Sequence, residues 1–269
     1  MPLFNRFDGD LVRDVPPTRA IMPYIMPQRA QAQVLFEQEL DVTRLLDDLE
    51  RRNAAGAKPR LTLFQAYIHA AVRTLAERPR LNRFTAGPHL YQRKAIEIGF
   101  SAKKAMNDDA PMVVVKRAFS PTGTFEEHID ELRGGLREGK SAELSSSDKE
   151  MRLFLKFPPP VVYGFVKLAG WLDARNMLPK AVIGHDPLYA SMFVANLGSV
   201  GLEAVYHHHY EWGNCPIFAA LGRVREVTER GANKKLITVR YNFDERIEDG
   251  LYCARALDHL REIIEGWGE

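Results

Sequence analysis

The sequence predicts an α/β chain, a two-layer sandwich of sheet and helices. Three observations lead there. Segments that alternate polar and apolar residues take turns with segments of helical period, the pattern that stacks helices on a sheet. The chain closes on a strand, a charged turn and a helix: Leu236 to Tyr241, then Asn242 to Gly250, then an apolar-periodic stretch from Leu251 to Ile264. Finally, 269 residues with 45% hydrophobic content suffice for one large domain with a full core. Residues 1–269 are therefore read as a single domain.

Taken in order, Met1 to Pro17 reads as an extended arm, because Pro16-Pro17 disfavours helix. Pro23 and Pro27 allow only short or kinked helix between Arg19 and Arg29. Val34, Phe36, Gln38 and Leu40 alternate with their neighbours as in a strand. Asp41-Val42-Thr43 opens a helix carrying Leu45, Leu46 and Leu49 that ends near Gly56. Thr62 to Gln65 has capping-box spacing, and the helix behind it, with Ile68, Val72 and Leu75 on one face, stops before Pro79. Strands follow at Leu90-Tyr91, Ile96 to Ala102 and Met112 to Lys116, then a second capping box at Thr124 opens a helix to about Leu136.

The polar stretch from Glu138 to Glu150 reads as a loop. Phe154 to Leu172 is apolar but broken by Lys156, Pro158-Pro159-Pro160 and Lys167, too interrupted to span a bilayer. It reads as two short helices packed on the domain, with a membrane-surface or protein-partner patch as the alternative. Tyr189 to Leu197 and Cys215 to Leu221 are apolar strands around a loop that holds His207, His208 and His209, and a turn at residues 230–233 leads into the last strand.

Composition removes several functions. A net charge of +2 gives no overall attraction to nucleic acid or to an anionic membrane. The two cysteines, Cys215 and Cys253, have no CxxC spacing and read as reduced residues of a cytoplasmic protein. The first ten residues carry both signs of charge and no apolar signal region.

The stretch Asp244-Glu245-Arg246-Ile247-Glu248-Asp249-Gly250 carries the most information. It resembles the HxxxDG signature shared by chloramphenicol acetyltransferases and the catalytic core of dihydrolipoyl acyltransferases, where it often reads DHRxxDG. Every fixed position matches except one: Glu245 stands in place of the family's catalytic histidine. The similarity also covers Arg19 through Asp41, Ser191 through Gly198 with its Asn-Leu-Gly ending, and Pro216 through Gly222. It does not cover residues 141–187, so an extra helical segment is expected at about 145–187.

The resemblance implies the chloramphenicol acetyltransferase-like fold, a mixed sheet packed against helices. It implies a homotrimer with active sites between subunits, and acyl transfer involving coenzyme A or acyl-coenzyme A and a small acceptor. No lipoyl domain is evident, so any other acyl carrier is expected to arrive separately. In the family, the histidine takes a proton from the thiol of coenzyme A or a substrate hydroxyl, and a hydroxyl from the strand before Asn-Leu-Gly donates to the oxyanion. Where the family often has Thr-x-Thr-Ile-Ser, this chain has Ser191-Met192-Phe193-Val194-Ala195, and only Ser191 keeps a hydroxyl.

A free thiol titrates near ~8.5 and a free glutamate near ~4.3, so proton transfer to a glutamate is uphill by about 5–6 kcal/mol. Burial raising a carboxylate by ~3 units closes most of that gap. Glu245 is therefore either a base in a dry site or a charged turn residue in a chain that has lost the chemistry. The corresponding functions are weak or altered acyl transfer and, as the alternative, a non-catalytic trimer that binds a ligand or partner. His207 and His209 share a face if the loop is extended. These histidines are either polar loop residues or a base facing Glu245 across a subunit interface, and no further ligand spacing supports a metal. By resemblance, Asp249 pairs with Arg19 as a buried brace. Gly250 permits a tight turn. Asn196 either satisfies backbone groups at the site or simply ends its strand.

Overall fold

The computed structural model describes residues 6–103, 112–141, 153–229 and 231–268. Its strands are β1 (Gly9–Leu11), β2 (Gln33–Asp41), β3 (Arg83–Ala86), β4 (His89–Arg93), β5 (Ile96–Lys103), β6 (Met112–Phe119), β7 (Met192–Asn196), β8 (Ile217–Glu229) and β9 (Ala232–Asp244). Six form the main sheet in the order β2-β9-β8-β7-β5-β6, and β1-β4-β3 form a second, smaller sheet. β7 runs parallel to β5 and β8, and the other main-sheet neighbours are antiparallel, so the sheet is mixed.

The helices are α1 (Pro17–Ala20), α2 (Met22–Ile25), α3 (Thr43–Ala54), α4 (Leu63–Glu77), α5 (Phe125–Ser141), α6 (Pro159–Asp173), α7 (Lys180–Ile183) and α8 (Gly250–Glu265). Both capping boxes form. Thr62 accepts from the Gln65 amide while Gln65 accepts from the Thr62 amide, and Thr124 and Glu127 exchange the same pair of bonds. Side chains of α3, α4, α5 and α8 join those of the main sheet in one core, including Ile68, Val72, Phe100, Val239 and Leu260. Each such aliphatic or aromatic side chain, fully buried, contributes about 1.5–3 kcal/mol. A polar chain threads this core without a loose end. Tyr67 donates to the Tyr241 hydroxyl, Tyr241 to Gln38, and the Gln38 amide to the Leu257 carbonyl.

The other face of the sheet is crossed by the chain between β7 and β8. Gly222 marks the crossing, because a Cβ there would lie 2.6 Å from the Ala204 amide nitrogen. The chain behind that crossing carries the three consecutive histidines.

Several elements differ from the sequence reading. β1 gives the N-terminal arm a place in the small sheet, paired with β4. β3 is a strand that no alternation announced. α5 runs to Ser141, past the expected end at Leu136. The rest of the expected polar loop, residues 142–150, lies outside the described residues, as does the start of the 145–187 segment. Residues 159–173 form a helix of 15 residues, longer than expected, and of its length only Ala169 and Asp173 are buried, so it is not packed along the domain as expected. Among the described residues, no helix is long and apolar enough to cross a membrane.

Candidate functional site

The turn between β9 and α8 is built on Asp244, the last residue of β9 and only 1% exposed. Its carboxylate accepts from the Arg246 amide at 3.1 Å, from Nε at 2.8 Å and from Nη2 at 2.7 Å. The Arg29 guanidinium approaches to 3.9 Å from the other side. Burial works against the charge on Asp244, yet Arg246 and then Arg29 outweigh it and hold the carboxyl below its usual range. Arg29 also donates to the carbonyls of Cys215 and Gly213. Glu211 in the loop accepts from the Arg29 and Ala30 amides at 3.2 and 3.1 Å. Two buried guanidiniums thus share the Asp244 carboxylate while Glu211 holds the backbone beside Arg29, and the N-terminal segment, the histidine loop and the turn are tied at one point.

That tie fixes Glu245. Its amide donates to the Ala32 carbonyl at 2.7 Å, and its carbonyl accepts from Arg19 Nη1 at 2.6 Å. The side chain is exposed while its neighbours Asp244 and Arg246 are buried. Next, Glu248, 4% exposed, accepts from Arg80 at 3.3 Å and Arg83 at 3.2 Å. Asp249 then caps α8, accepting from the Tyr252 amide at 2.8 Å. A cavity of about 250 Å³ opens beside the turn, and Arg13, Arg19, Arg246, His89 and Tyr24 line it together with apolar residues. Among the described residues that line it there is no carboxylate.

The backbone arrangement matches known solved structures. The chain superposes on the cubic core of a pyruvate dehydrogenase multienzyme complex with a TM-score of 0.59 at 16% identity, covering 95% of this chain and 92% of that one. A chloramphenicol acetyltransferase gives 0.58 at 10% identity, with 97% and 100% covered. The chain has the chloramphenicol acetyltransferase-like fold. A probable dihydrolipoamide acetyltransferase from Listeria monocytogenes gives 0.57 at 19% identity, with 96% and 95% covered. No protein-family model matches the sequence, and no curated protein does.

On this chloramphenicol acetyltransferase-like scaffold the candidate residues take different places. Ser191 is fully buried: its hydroxyl accepts from the Glu97 amide at 2.9 Å and faces the Ala95 carbonyl at 3.4 Å. It braces the start of β7 against β5 and has no proton left for an oxyanion. Asn196 accepts from the Ser199 amide at 3.2 Å and closes the turn after β7. The three histidines separate. His207 is half-buried, stacks on Phe218 with ring centroids 4.8 Å apart, and donates through Nδ1 to the His208 carbonyl. His208 is exposed. His209 is 3% exposed, and its Nε2 lies 3.2 Å from the Asn242 carbonyl. Burial, then the Arg29 charge, push His209 down to about 4, so it sits neutral in the frame behind the turn. Asn242 also donates to the His207 carbonyl at 2.7 Å, which laces the loop to β9. Among the described residues no hydrogen bond or ion pair joins the Glu245 side chain to Ser191 or to any of these histidines.

Two expectations need correcting. Arg19 and Asp249 make no ion pair among the described residues, because Arg19 is spent on the Glu245 carbonyl and Asp249 is exposed as a helix cap. The buried brace is instead Asp244 with Arg246 and Arg29. Nor does the turn require Gly250: it lies in the first turn of α8, and a Cβ there would meet nothing within 4 Å. Asp244 and Arg246 were visible in the motif, and residues two apart in extended chain share a side. Arg29 and Glu211 gave no local signal. No group of three metal-ligating side chains gathers among the described residues.

Proposed function

We propose that this chain is an acyl-transfer protein, moving an acyl group between coenzyme A and a small acceptor, with weak turnover, from a site shared between subunits of a homotrimer. One observation carries the reading: Glu245 is held by both of its peptide groups on a buried charged frame, yet its side chain is exposed. A frame of this cost around one free side chain is what a presented functional group needs. In the proposed step the acceptor hydroxyl or thiol gives its proton to the Glu245 carboxylate. Its oxygen or sulfur then bonds to the acyl carbonyl carbon, and the thiolate of coenzyme A leaves and takes the proton back. A neighbouring subunit supplies the dry surroundings that a carboxylate base requires. The arginine-lined cavity beside the turn suits an anionic part of a substrate. Turnover is weak because a carboxylate is by nature a poorer base toward a thiol or hydroxyl than an imidazole, and because Ser191 is committed to the backbone.

The test is thiol release from a panel of acyl-coenzyme A thioesters, run on wild type, Glu245→Ala and Glu245→His. We expect slow wild-type release, background in Glu245→Ala and a gain in Glu245→His. Turnover untouched by Glu245→Ala but lost on changing His207 or His208 moves the base to the loop and overturns the assignment. Sedimentation that shows a monomer across micromolar concentrations removes the shared site.

A further inference from the structure

Among the described residues, α6 and the residues flanking it expose a run of large apolar side chains. Val161, Phe165 and Leu168, at i, i+4 and i+7, form one stripe, and they are 52%, 58% and 53% exposed. Before the helix, Leu155 and Phe157 are 62% and 54% exposed, and Phe154 packs on Phe165 with ring centroids 5.0 Å apart. Among the described residues, the ion-pair anchor of the helix lies at its far end. Asp173 accepts from Arg6 at 2.8 Å through its carboxylate and again at 2.8 Å through its carbonyl. Beside it, Gly87 at the β3–β4 turn has φ +56, and a Cβ there would lie 3.0 Å from the Ala174 carbonyl oxygen. The structure thus spends a buried ion pair on fixing a helix whose outer side it leaves bare.

Charge says what covers that side. Between residues 153 and 183 the cations are Lys156, Lys167, Arg175 and Lys180, all exposed, while the one acid is Asp173, which is buried and paired with Arg6. The near-neutral total of the chain hides this local excess. Two cations rest on exposed rings of the same helix: Lys167 Nζ lies 5.4 Å from the Tyr163 centroid and Arg175 Cζ 3.8 Å from that of Trp171. Apolar side chains accompanied by amphipathic aromatics and by long cations that can lift their heads toward phosphate are the composition of a helix lying in a bilayer interface. The 15 residues of α6 span about 22 Å, short of the ~30 Å hydrocarbon core, so it lies along the surface and does not cross.

We infer that α6 with its preceding segment is a membrane-surface anchor that docks the protein on an anionic lipid bilayer.

The experiment is co-sedimentation of the full chain with vesicles of phosphatidylcholine alone and of equal parts phosphatidylcholine and phosphatidylglycerol. Expected is binding to the anionic vesicles that weakens with added salt, with a roughly fivefold lower partition coefficient for each of Lys167→Gln and Lys180→Gln. Phe165→Glu with Leu168→Glu should abolish binding while leaving the circular dichroism spectrum and the acyl-coenzyme A assay unchanged. Absence of binding to anionic vesicles overturns the inference. So does binding to both vesicle types that ignores these substitutions. A wild-type oligomer that the double variant splits, with no vesicle binding, assigns the stripe to a second copy of the chain and equally overturns it. Because the vesicle readout does not involve turnover, its outcome is separate from that of the acyl-transfer reading.

Discussion

Replacing Asp244 by alanine should remove the brace on which the Glu245 turn stands. The carboxylate accepts three hydrogen bonds from Arg246, at 3.1, 2.8 and 2.7 Å, and faces Arg29 at 3.9 Å. Both guanidiniums stay in place after the substitution, 4% and 6% exposed, with their principal counter-charge gone. Breaking a buried pair from one side costs about 3–5 kcal/mol. At roughly 2–4 °C per kcal/mol for a chain of this size, Tm should fall by on the order of 10 °C. Asp244→Asn keeps one acceptor and should fall between the two. The sign with pH follows from the shift. The folded Asp244 carboxyl lies below its ordinary value, so its contribution is full above the unfolded value near ~3.9 and is lost as pH falls through the folded one. Wild type should therefore shed this stability in acid, while Asp244→Ala lacks it from the start. Urea unfolding followed by circular dichroism at pH 7, repeated down to acid, measures both effects. An Asp244→Ala chain within ~1 kcal/mol of wild type at pH 7 would refute the reasoning.

Two further outcomes follow from the same turn and core. Asp249→Ala should cost only about 1 kcal/mol, the value of a lost helix cap, and a loss three times larger in the same urea assay would revive a buried partnership with Arg19. His209 and His69 are both pushed down to about 4, chiefly by burial. Against an unfolded value near ~6.5, stability should decline as pH drops from about 6.5 toward 4, by on the order of 3 kcal/mol for His209. His209→Gln should flatten that part of the profile, and an unchanged slope would place the titration elsewhere.

Much of the fold was legible because its signals are local. The alternation of Val34 to Leu40 and the boxes at Thr62 and Thr124 each lie within a few residues of what they determine, and β2, α4 and α5 follow from them. β3 escaped because four residues, Arg83–Ala86, cannot declare a period, and their partner β4 decides them. The site was less legible for the same reason. Ser191 looks like a free hydroxyl until register sets it against the Glu97 amide, 94 positions away. Three adjacent histidines read alike, yet one stacks, one faces solvent and one is buried, because the loop's path over Phe218 separates them. The apolar content of α6 was plain, whereas its exposure could not be, since an apolar segment is ordinarily assumed to be covered. Asp249 was given the brace by resemblance, and the neighbouring Asp244 holds it.

The two cysteines offer a clock on this architecture. Both are free and buried, and burial pushes Cys215 up to about 11 and Cys253 to about 12. As thiols rather than thiolates they are shut off from alkylating reagents while the chain stays closed. Modification must then wait for an opening, and its rate counts openings. The two positions sample different hinges. Cys215 lies where Arg29 clasps its carbonyl. Cys253 lies on the inner side of α8, one turn beyond the motif. Labelling each alone, with the other changed to serine, separates how often the N-terminal segment lifts from how often the last helix peels away.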